Sequence, residues 1–436
     1  MRTAVIGAGL AGCEAAYAAA KAGAKVDLFE CRPTDRSPVH KTDGFAELVC
    51  SNSLKAERLG SAAGLLKLEM RRFGSVCLEA ADKSRVPAGG ALAVDRDLFS
   101  RIVTEKISKT DGITVRRERI DDLPEGYDAT VIATGPLTVG GLTDAIKKLC
   151  GEEYLSFYDA AAPIVTAESI DFTKAFTASR YDRGTSDEGD YVNCPFNKEE
   201  YENFISELVS AERAELHDID KELQVYEGCM PIEILASRGK DAARFGPMKP
   251  VGLRDPNTGH RPWAAVQLRK ENSAGTLYNL VGFQTNLKFC EQSRVFSMIP
   301  GLENAEIVRF GVMHRNTFIR SPKLLNSDFS VRKRPDVFFA GQISGVEGYM
   351  ESAASGIIVG NALARRMSGQ TALNLPDFTM LGALSGYISD ESVTRFEPMG
   401  ANFGILPPLP EKIRDKRLRY EKLASRSLAW YDAAGI

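Results

Sequence analysis

Apolar and helix-forming residues alternate at the start of the chain in the order of a βαβ unit. Residues 3–6 are an apolar, β-prone run that ends at Gly7, and an alanine-rich helical stretch follows from Leu10 to Lys21. Residues 25–30 (KVDLFE) then predict a second strand. Because such crossovers are right-handed and place the two strands side by side in parallel, the chain is expected to begin as a doubly wound α/β fold.

Further apolar runs indicate that this first unit is interrupted and later resumed. A helix over residues 64–73 and a strand over 127–133 extend it, whereas residues 166–299 combine charged helical segments with short strands. A buried strand at 336–340 and a small-residue helix at 351–364 resemble the first unit again. We therefore expect domain parts at 1–165 and 300–436 with an insertion at 166–299; the last part carries a basic helix from Glu411 to Arg426.

The turn after the first strand has the pattern of a dinucleotide site. It reads Gly7-Ala8-Gly9-Leu10-Ala11-Gly12, with Glu30 at the end of the next strand. In this context Gly7 permits a tight turn, Gly9 lets the backbone approach a pyrophosphate, Gly12 lets helix and sheet pack closely, and Glu30 accepts ribose hydroxyls. The alternative is a glycine-rich turn that binds nothing.

A second glycine cluster indicates whether the bound dinucleotide is FAD or NAD. Gly341, Gln342, Gly345 and Gly348 lie far downstream, and an extended flavin needs a second contact region where another helix can present its N-terminus. The cluster favours FAD over NAD, although ordinary close packing would also explain it. The fold class we predict is α/β: a Rossmann-like FAD-binding domain with an inserted α+β domain.

Composition and charge bear on nucleic-acid binding, metal binding and membrane insertion. The chain has 436 residues, 44% of them hydrophobic, with a net charge of only −3, so binding to nucleic acid would need a local basic patch. Its eight cysteines form no C-x-x-C pair and no cysteine–histidine cluster at zinc spacing, so we expect no metal and reduced thiols. We see no membrane-spanning stretch and expect a cytoplasmic protein.

Five blocks of sequence resemble one enzyme family nearly end to end. They are FAELVCSNSL from Phe45 to Leu54, GLLK from Gly64 to Lys67, RVPAGGALAVDR from Arg85 to Arg96, GCMPIE from Gly228 to Glu233, and GQISGVEGYMES from Gly341 to Ser352. The chain is identified by them as similar to the folate- and FAD-dependent tRNA (uracil-5-)-methyltransferases. The family is also similar to a larger flavoprotein that helps to modify wobble uridines, but the cysteine blocks here follow the methyltransferases.

The resemblance implies a reaction and a set of partners. Methylenetetrahydrofolate would supply a one-carbon unit, FAD reduced by NADH or NADPH would carry and reduce it, and C5 of the T-loop uridine at position 54 of tRNA would receive it. A uridine of large ribosomal RNA is an open alternative substrate. A plain NAD(P)H-dependent flavin oxidoreductase and an RNA-binding scaffold with a structural FAD are the alternatives of other classes.

The resemblance also implies that Cys50 and Cys229 are the catalytic cysteines. Uracil C5 becomes nucleophilic only after a nucleophile adds at C6, which a thiolate can do. We assign Cys50 as the nucleophile and Cys229 as its partner. The remaining cysteines are expected to be small buried side chains; they are Cys13, Cys31, Cys77, Cys150, Cys194 and Cys290.

A few other residues keep two interpretations. Glu347, Tyr349 and Glu351 could contact flavin, folate or uracil, or could serve as helix caps and surface charge. His314 is expected to be a structural hydrogen-bonding residue, or to stack on folate. Basic runs could contact phosphate, but most such runs are solvated helix faces; they are Arg71-Arg72, Arg116-Arg117 with Arg119, Lys147-Lys148, Arg332-Lys333-Arg334, Arg365-Arg366 and the C-terminal helix.

Overall fold

The computed structural model describes the chain at residues 1–37, 40–138, 140–151, 154–160, 162–182, 189–214, 230–272, 274–311, 313–394 and 396–436. In this part of the chain the strands are β1 (Arg2–Ile6), β2 (Lys25–Phe29), β3 (Ser53–Ala56), β4 (Arg85–Val86), β5 (Ala91–Val94), β6 (Ile113–Arg116), β7 (Ala129–Ile132), β8 (Tyr154–Ala160), β9 (Ile164–Thr166), β10 (Phe176–Thr177), β11 (Tyr191–Phe196), β12 (Ala264–Lys270), β13 (Leu277–Leu280), β14 (Ile307–Arg309), β15 (Met313–Ile319), β16 (Ser330–Val331) and β17 (Arg334–Phe339). The helices are α1 (Leu10–Lys21), α2 (Ala62–Arg72), α3 (Val76–Lys83), α4 (Arg96–Ser108), α5 (Gly141–Cys150), α6 (Lys198–Ser210), α7 (Ile232–Ser237), α8 (Ala242–Phe245), α9 (Phe289–Phe296), α10 (Ser321–Leu324), α11 (Tyr349–Met367), α12 (Met380–Ser389) and α13 (Lys416–Ala434).

A mostly parallel sheet carries the first unit. Its strand order is β16-β17-β7-β1-β2-β6, with β1 parallel to both β2 and β7, and β17 parallel to β7. The predicted α/β fold is thus confirmed, and the strand expected at 336–340 does return to the first sheet. Because parallel strands end at the same edge, the residues after β1, β2 and β17 meet there.

Two helices cross one face of this sheet at unusually short distance. The crossing of α1 and α11 needs glycine, because a Cβ on Gly356 would lie 2.2 Å from the carbonyl oxygen of Ala11, and one on Gly360 would lie 2.6 Å from Cβ of Ala18. Small residues therefore bring the two helices together. Because α1 follows β1 and α11 follows β17, and these strands run parallel, the N-terminal ends of both helices lie at the same edge of the sheet.

A second sheet of order β10-β11-β12-β13-β9-β14 has its own hydrophobic core. All its pairings are antiparallel, and α6 packs aromatic residues such as Phe204 against Phe196 and Phe283. In chain order this sheet starts at β9 and ends at β14, so we propose that the insertion runs between these strands. The antiparallel pair β8–β15 connects the two units.

Helix ends differ from the sequence prediction where caps decide them. Helix α2 begins two residues earlier than residue 64, because the Ser61 hydroxyl accepts the Gly64 N–H. The C-terminal helix begins at Lys416 rather than at Glu411, because Asp415 accepts the Leu418 N–H at 2.6 Å, and it continues to Ala434. One face of α13 is buried through Leu423, Ala424 and Tyr431, so only the other face is exposed.

Candidate functional site

The glycine turn after β1 has the geometry that a phosphate-binding loop needs. Gly7 has φ +102°, and a Cβ on Gly12 would lie 1.8 Å from the Gly7 carbonyl oxygen, so both positions require glycine. A Cβ on Gly9, in contrast, would meet nothing within 4 Å. Gly9 is the N-cap of α1 and faces open space, where the helix N-terminus can receive an anion.

Glu30 follows β2 and is held at the edge of this turn. Its carboxylate accepts the Ala8 N–H at 3.0 Å and pairs with the buried Arg32 guanidinium at 2.8 Å. Burial opposes the charge, but the hydrogen bonds and charge of Arg32 prevail and lower the pKa of Glu30 to about 2. Glu30 is therefore an ionised acceptor at the place where the sequence predicts a ribose contact.

One cavity joins the two glycine clusters. Tyr349 and seven of the cofactor residues predicted from sequence line it; the seven are Gly7, Gly9, Leu10, Ala11, Glu30, Gly341 and Gln342. Gln342 and Ser352 complete the side formed by the start of α11. An elongated ligand lying in this cavity would contact the N-terminal ends of both α1 and α11.

The other predicted cofactor residues act behind the cavity wall. Ala8 is fully buried and donates its N–H to the Glu30 carboxylate, and Gly12 packs against Gly7. Gly345 has φ +84°, and a Cβ there would lie 2.4 Å from the Phe396 ring. Gly348 has φ +120°, and a Cβ there would collide with Glu351 Oε2. These four residues shape the turns but are not among the residues that line the cavity.

Cys50 lies beside Tyr349, in the polar loop that precedes β3. Its Sγ is 2.9 Å from the Tyr349 hydroxyl oxygen, and the N–H groups of Cys50 and Ser51 donate to that same oxygen at 2.7 and 3.3 Å. Burial, and next the charge of Cys50, raise the pKa of Tyr349 well above its usual value. Because Tyr349 lines the cavity, the thiol lies next to the end of the cavity formed by α11.

Three arginines surround the Cys50 loop, and sequence analysis missed them. Arg96 donates to the Leu48 carbonyl at 2.8 Å, Arg309 donates to the Val49 carbonyl, and Arg269 donates to the Ser51 hydroxyl at 2.9 Å. Glu271 forms an ion pair with Arg96. The one available signal was Arg269 in the partly apolar strand β12 (AAVQLRK), because an arginine in a buried strand is normally paired.

The electrostatics of this cluster follow from burial. Arg269 and Glu271 are 5% and 4% exposed, so their charged forms are costly. Burial lowers the pKa of Arg309, and Arg96 adds to that effect. Burial also raises the pKa of Glu271, against the pull of Arg96 and Arg269. Within the described residues, no second carboxylate lies at ion-pair distance from the three guanidinium groups.

The other cysteines match the sequence expectation only in part. Cys229 lies among residues 215–229, outside the described residues, so its distance from Cys50 is not part of the structure. Cys13, Cys77, Cys150 and Cys194 are buried as expected. The expectation was wrong for Cys290, which is exposed on α9 because it occupies the solvent side of that helix, and for Cys31, which is half-buried in the cavity wall.

The acidic residues around Tyr349 are buried rather than surface charges. Glu351 is 1% exposed, pairs with Lys55 Nζ at 2.8 Å and accepts the Ala401 N–H at 3.0 Å. Glu347 is 6% exposed and accepts from the Gln342 amide at 2.7 Å. The surface-charge interpretation is therefore wrong for both. His314 lies on β15, with a side chain outside the described residues.

Neither a metal-binding cluster nor a membrane-spanning helix is found among the described residues. They contain no group of three or more histidine, cysteine, aspartate or glutamate side chains arranged to hold a metal ion. None of their helices has both the length and the apolar character needed to cross a bilayer.

The fold and the cavity together define a class: a dinucleotide-binding α/β protein of the flavoprotein type. The family described as Glucose inhibited division protein A matches residues 2–371. The methylenetetrahydrofolate--tRNA-(uracil-5-)-methyltransferase TrmFO of Acetivibrio thermocellus is 58% identical over 97% of this chain and 96% of its own length. The protein of the same name from Halalkalibacterium halodurans is 55% identical, also over 97% and 96%. The chain therefore belongs to the Glucose inhibited division protein A family, among its relatives of that methyltransferase name.

A solved structure supports the fold. GidA of Aquifex aeolicus superimposes with a TM-score of 0.70 at 18% identity, over 98% of this chain and 75% of that one. At that identity the likeness concerns the fold alone. That neighbour is the longer protein, since the match covers 75% of it.

Proposed function

We propose that this protein is an enzyme that methylates C5 of a uracil in tRNA, with methylenetetrahydrofolate as the one-carbon donor, FAD as its cofactor and NADH or NADPH as the reductant. The proposal includes the T-loop uridine at position 54 as the target. It is supported by relatives above 50% identity over nearly the full chain whose printed name is that activity. The observation that carries it is the contact of Cys50 Sγ with Tyr349, a residue of the cavity wall.

The cavity fits FAD by its shape and its donors. Gly9 leaves the backbone open for a pyrophosphate, Glu30 is an ionised acceptor for ribose hydroxyls, and the first turn of α11 reaches the other end. FAD bound there and reduced by NADH or NADPH would supply the two electrons that turn a methylene group into a methyl group.

Cys50 would make the uracil reactive. Its thiolate would add to C6, which creates an enolate whose C5 can form the bond to the one-carbon unit while that unit's bond to the nitrogen that carries it breaks. Loss of the proton from C5 and departure of the thiolate from C6 would then restore the double bond and the free cysteine. We keep Cys229 as the proposed partner on the family resemblance alone.

Reaching a base of folded tRNA places a demand on the RNA. The target uridine must leave its stack to meet a thiol in a half-buried loop, as bases do in other base-modifying enzymes. The enzyme must also hold the phosphates around that base, which requires a local basic surface because the net charge is only −3.

The test is a labelling assay with matched cysteine variants. Wild type, Cys50→Ala and Cys290→Ala are each given NADH or NADPH, carbon-labelled methylenetetrahydrofolate, and unmodified tRNA or large ribosomal RNA. We expect label in the T-loop for wild type and Cys290→Ala, and none for Cys50→Ala. Label in ribosomal RNA alone would show that ribosomal RNA, and not tRNA, is the substrate.

Cofactor consumption separates the classes of enzyme. A plain flavin oxidoreductase would consume NADH or NADPH without labelling either RNA, and Cys50→Ala would consume it equally fast. Full labelling by Cys50→Ala would remove Cys50 from the proposed chemistry.

A further inference from the structure

We propose that Arg96, Arg269 and Arg309 are positioning residues that fix the Cys50 loop from behind and hold its thiol in the thiolate form. The inference rests on the proposed function in taking Cys50 as a reacting residue. It adds a role for three side chains, two of which come from the second sheet.

The first step is geometric. The three guanidinium groups reach consecutive parts of one loop: Arg96 binds the carbonyl of Leu48, Arg309 that of Val49, and Arg269 the hydroxyl of Ser51. Arg269 also donates to Asn52 Oδ1 at 2.8 Å. Multiple donors on successive groups leave the backbone around Cys50 little freedom, so its Sγ is held in one place.

The second step concerns the proton on sulfur. A hydroxyl oxygen has two lone pairs, and those of Tyr349 receive the N–H groups of Cys50 and Ser51. Cys50 Sγ lies 2.9 Å from the same oxygen and donates to it as a thiol, whereas as a thiolate it would accept the Tyr349 hydroxyl proton instead. The hydroxyl can thus stabilise an ionised sulfur, because a hydrogen bond to an anion is stronger than one between neutral groups.

The third step is the balance of charge around the thiol. Arg309 on β14 and Tyr349 on α11 both interact with Cys50, and Arg96 and Glu271 act electrostatically on Arg309. Glu271 forms an ion pair with Arg96, and its charge also acts on Arg269 and Arg309. Glu47, the nearest carboxylate in the loop itself, pairs with Arg32 at 3.1 Å instead. An excess of buried positive charge stabilises a neighbouring anion.

The two sheets thus meet at the thiol. Arg309 ends β14 and Arg269 lies near the end of β12, both in the second sheet, whereas Arg96 begins α4 in the first unit. The insertion therefore contributes to the site by holding a loop of the other unit, and not only by adding surface.

The experiment measures the ionisation of Cys50 directly. Full-length, FAD-loaded protein without RNA or folate is alkylated with iodoacetamide across a range of pH, and mass spectrometry of the Cys50 peptide gives the rate at each pH. We expect the wild-type midpoint to lie below about 8, under the ordinary value for a free cysteine. A wild-type midpoint at or above that ordinary value would overturn the inference, even if every variant failed to fold.

Three variants then separate charge from packing. Arg309→Met should raise the Cys50 midpoint by about one pH unit, whereas Arg309→Lys, which keeps the charge, should leave it near the wild-type value. Arg294→Met removes an exposed arginine of α9 and is the matched control, with no expected change. Equal midpoints for Arg309→Met and Arg309→Lys would show that the arginine only packs.

The result is independent of methylation. A shifted midpoint in Arg309→Met together with no RNA labelling by wild type would sink the proposed function and leave the thiolate inference standing. An unshifted midpoint with normal labelling by wild type would overturn the thiolate inference and leave the proposed function standing.

Discussion

Glu69 is a buried carboxyl group that ties three helices together. On α2, it accepts the N–H groups of Met380 and Leu381 at 2.7 and 2.8 Å, at the start of α12. It also receives the hydroxyls of Ser427 and Tyr431 on α13. With 0% exposure and no cation at ion-pair distance in the described residues, burial outweighs these bonds and raises the pKa of Glu69 from 4.5 to about 7.

The raised pKa predicts a specific pH dependence of stability. The folded protein binds this proton more tightly than the unfolded chain, so the stabilisation is complete below pH 4.5 and is lost as pH rises through about 7. Relative to Glu69→Gln, wild type should lose roughly 2 to 3 kcal/mol of unfolding free energy between about pH 5 and pH 8. Urea unfolding of both proteins across this range measures the difference.

The matched control is Glu79→Gln. Glu79 is a half-buried glutamate of α3 whose pKa Lys83 holds below the ordinary value, so its titration falls under pH 5. Its stability curve should run parallel to that of wild type above that pH. If Glu69→Gln also runs parallel to wild type, Glu69 is ionised in the folded protein throughout and the assigned direction is wrong.

At the scale of elements, the crossing of α1 and α11 determines the shape of the cavity, because both helices start at its wall. Gly356→Ala would place a methyl group 2.2 Å from the Ala11 carbonyl oxygen, so the helices must separate. We expect a loss of about 1 to 3 kcal/mol in stability, accompanied by weaker retention of flavin. Thermal unfolding and the flavin-to-protein absorbance ratio of the purified variant measure the two effects.

Gly386 provides the opposite case in the same fold. It lies exposed within α12, and a Cβ there would meet nothing within 4 Å. Gly386→Ala should therefore stabilise the protein by up to about 1 kcal/mol, as alanine does in open helical positions, and leave flavin content unchanged. If the Gly356→Ala protein is as stable as the Gly386→Ala protein, the crossing of α1 and α11 can accommodate a methyl group at residue 356.

Elements were predictable from sequence where the signal is local. The βαβ unit has apolar periods, a glycine turn and Glu30 within the first 30 residues, and its strands and helix appear within one residue of the prediction. The C-terminal helix was misplaced because Asp415, its cap, stands in a run of charged residues where Glu411 gives the same signal. The end at Ala434 depends on burying Tyr431, a tertiary contact that periodicity alone does not show.

At the scale of the whole molecule, the site is built from contacts that span most of the chain. Arg309 and Val49 are 260 positions apart, and Tyr349 and Cys50 are 299 apart. Sequence analysis singled out Cys50 and Tyr349 separately, but no local pattern joins them. The arginine cluster is scattered in the same way: Arg269 and Arg309 reach the Cys50 loop only once the second sheet has docked on the first unit, and Arg96 is 48 positions from Leu48.

Most of the basic runs are already neutralised by acidic neighbours. Arg71 pairs with Asp82, Arg72 with Asp432 and Arg334 with Asp336, which is typical of solvated faces. The start of α13 differs. Lys412, Arg414, Lys416 and Arg419, which we call the α13 basic face, are exposed and have no carboxylate at ion-pair distance in the described part of the chain.

The α13 basic face is also connected to the cavity. Ala401 donates to Glu351 in the first turn of α11, and two residues further on Phe403 stacks with Tyr420 of α13 at 4.5 Å between ring centres. Lys416 and Arg419 flank that tyrosine. Phosphates of an RNA whose base reached Cys50 would pass near this end of α11, so we propose the α13 basic face as an RNA contact.

Salt dependence tests this proposal quantitatively. Each lost phosphate contact lowers the slope of log affinity against log salt by about 0.7 to 0.9, so Lys416→Gln with Arg419→Gln should lower it by roughly one to two and weaken tRNA binding. Lys21→Gln with Lys25→Gln removes two exposed lysines at the opposite edge of the parallel sheet and is the matched control. Binding of unmodified tRNA is titrated for each protein at several salt concentrations. Equal slopes for the two double variants would place the RNA elsewhere, because mere loss of net charge is the same in both.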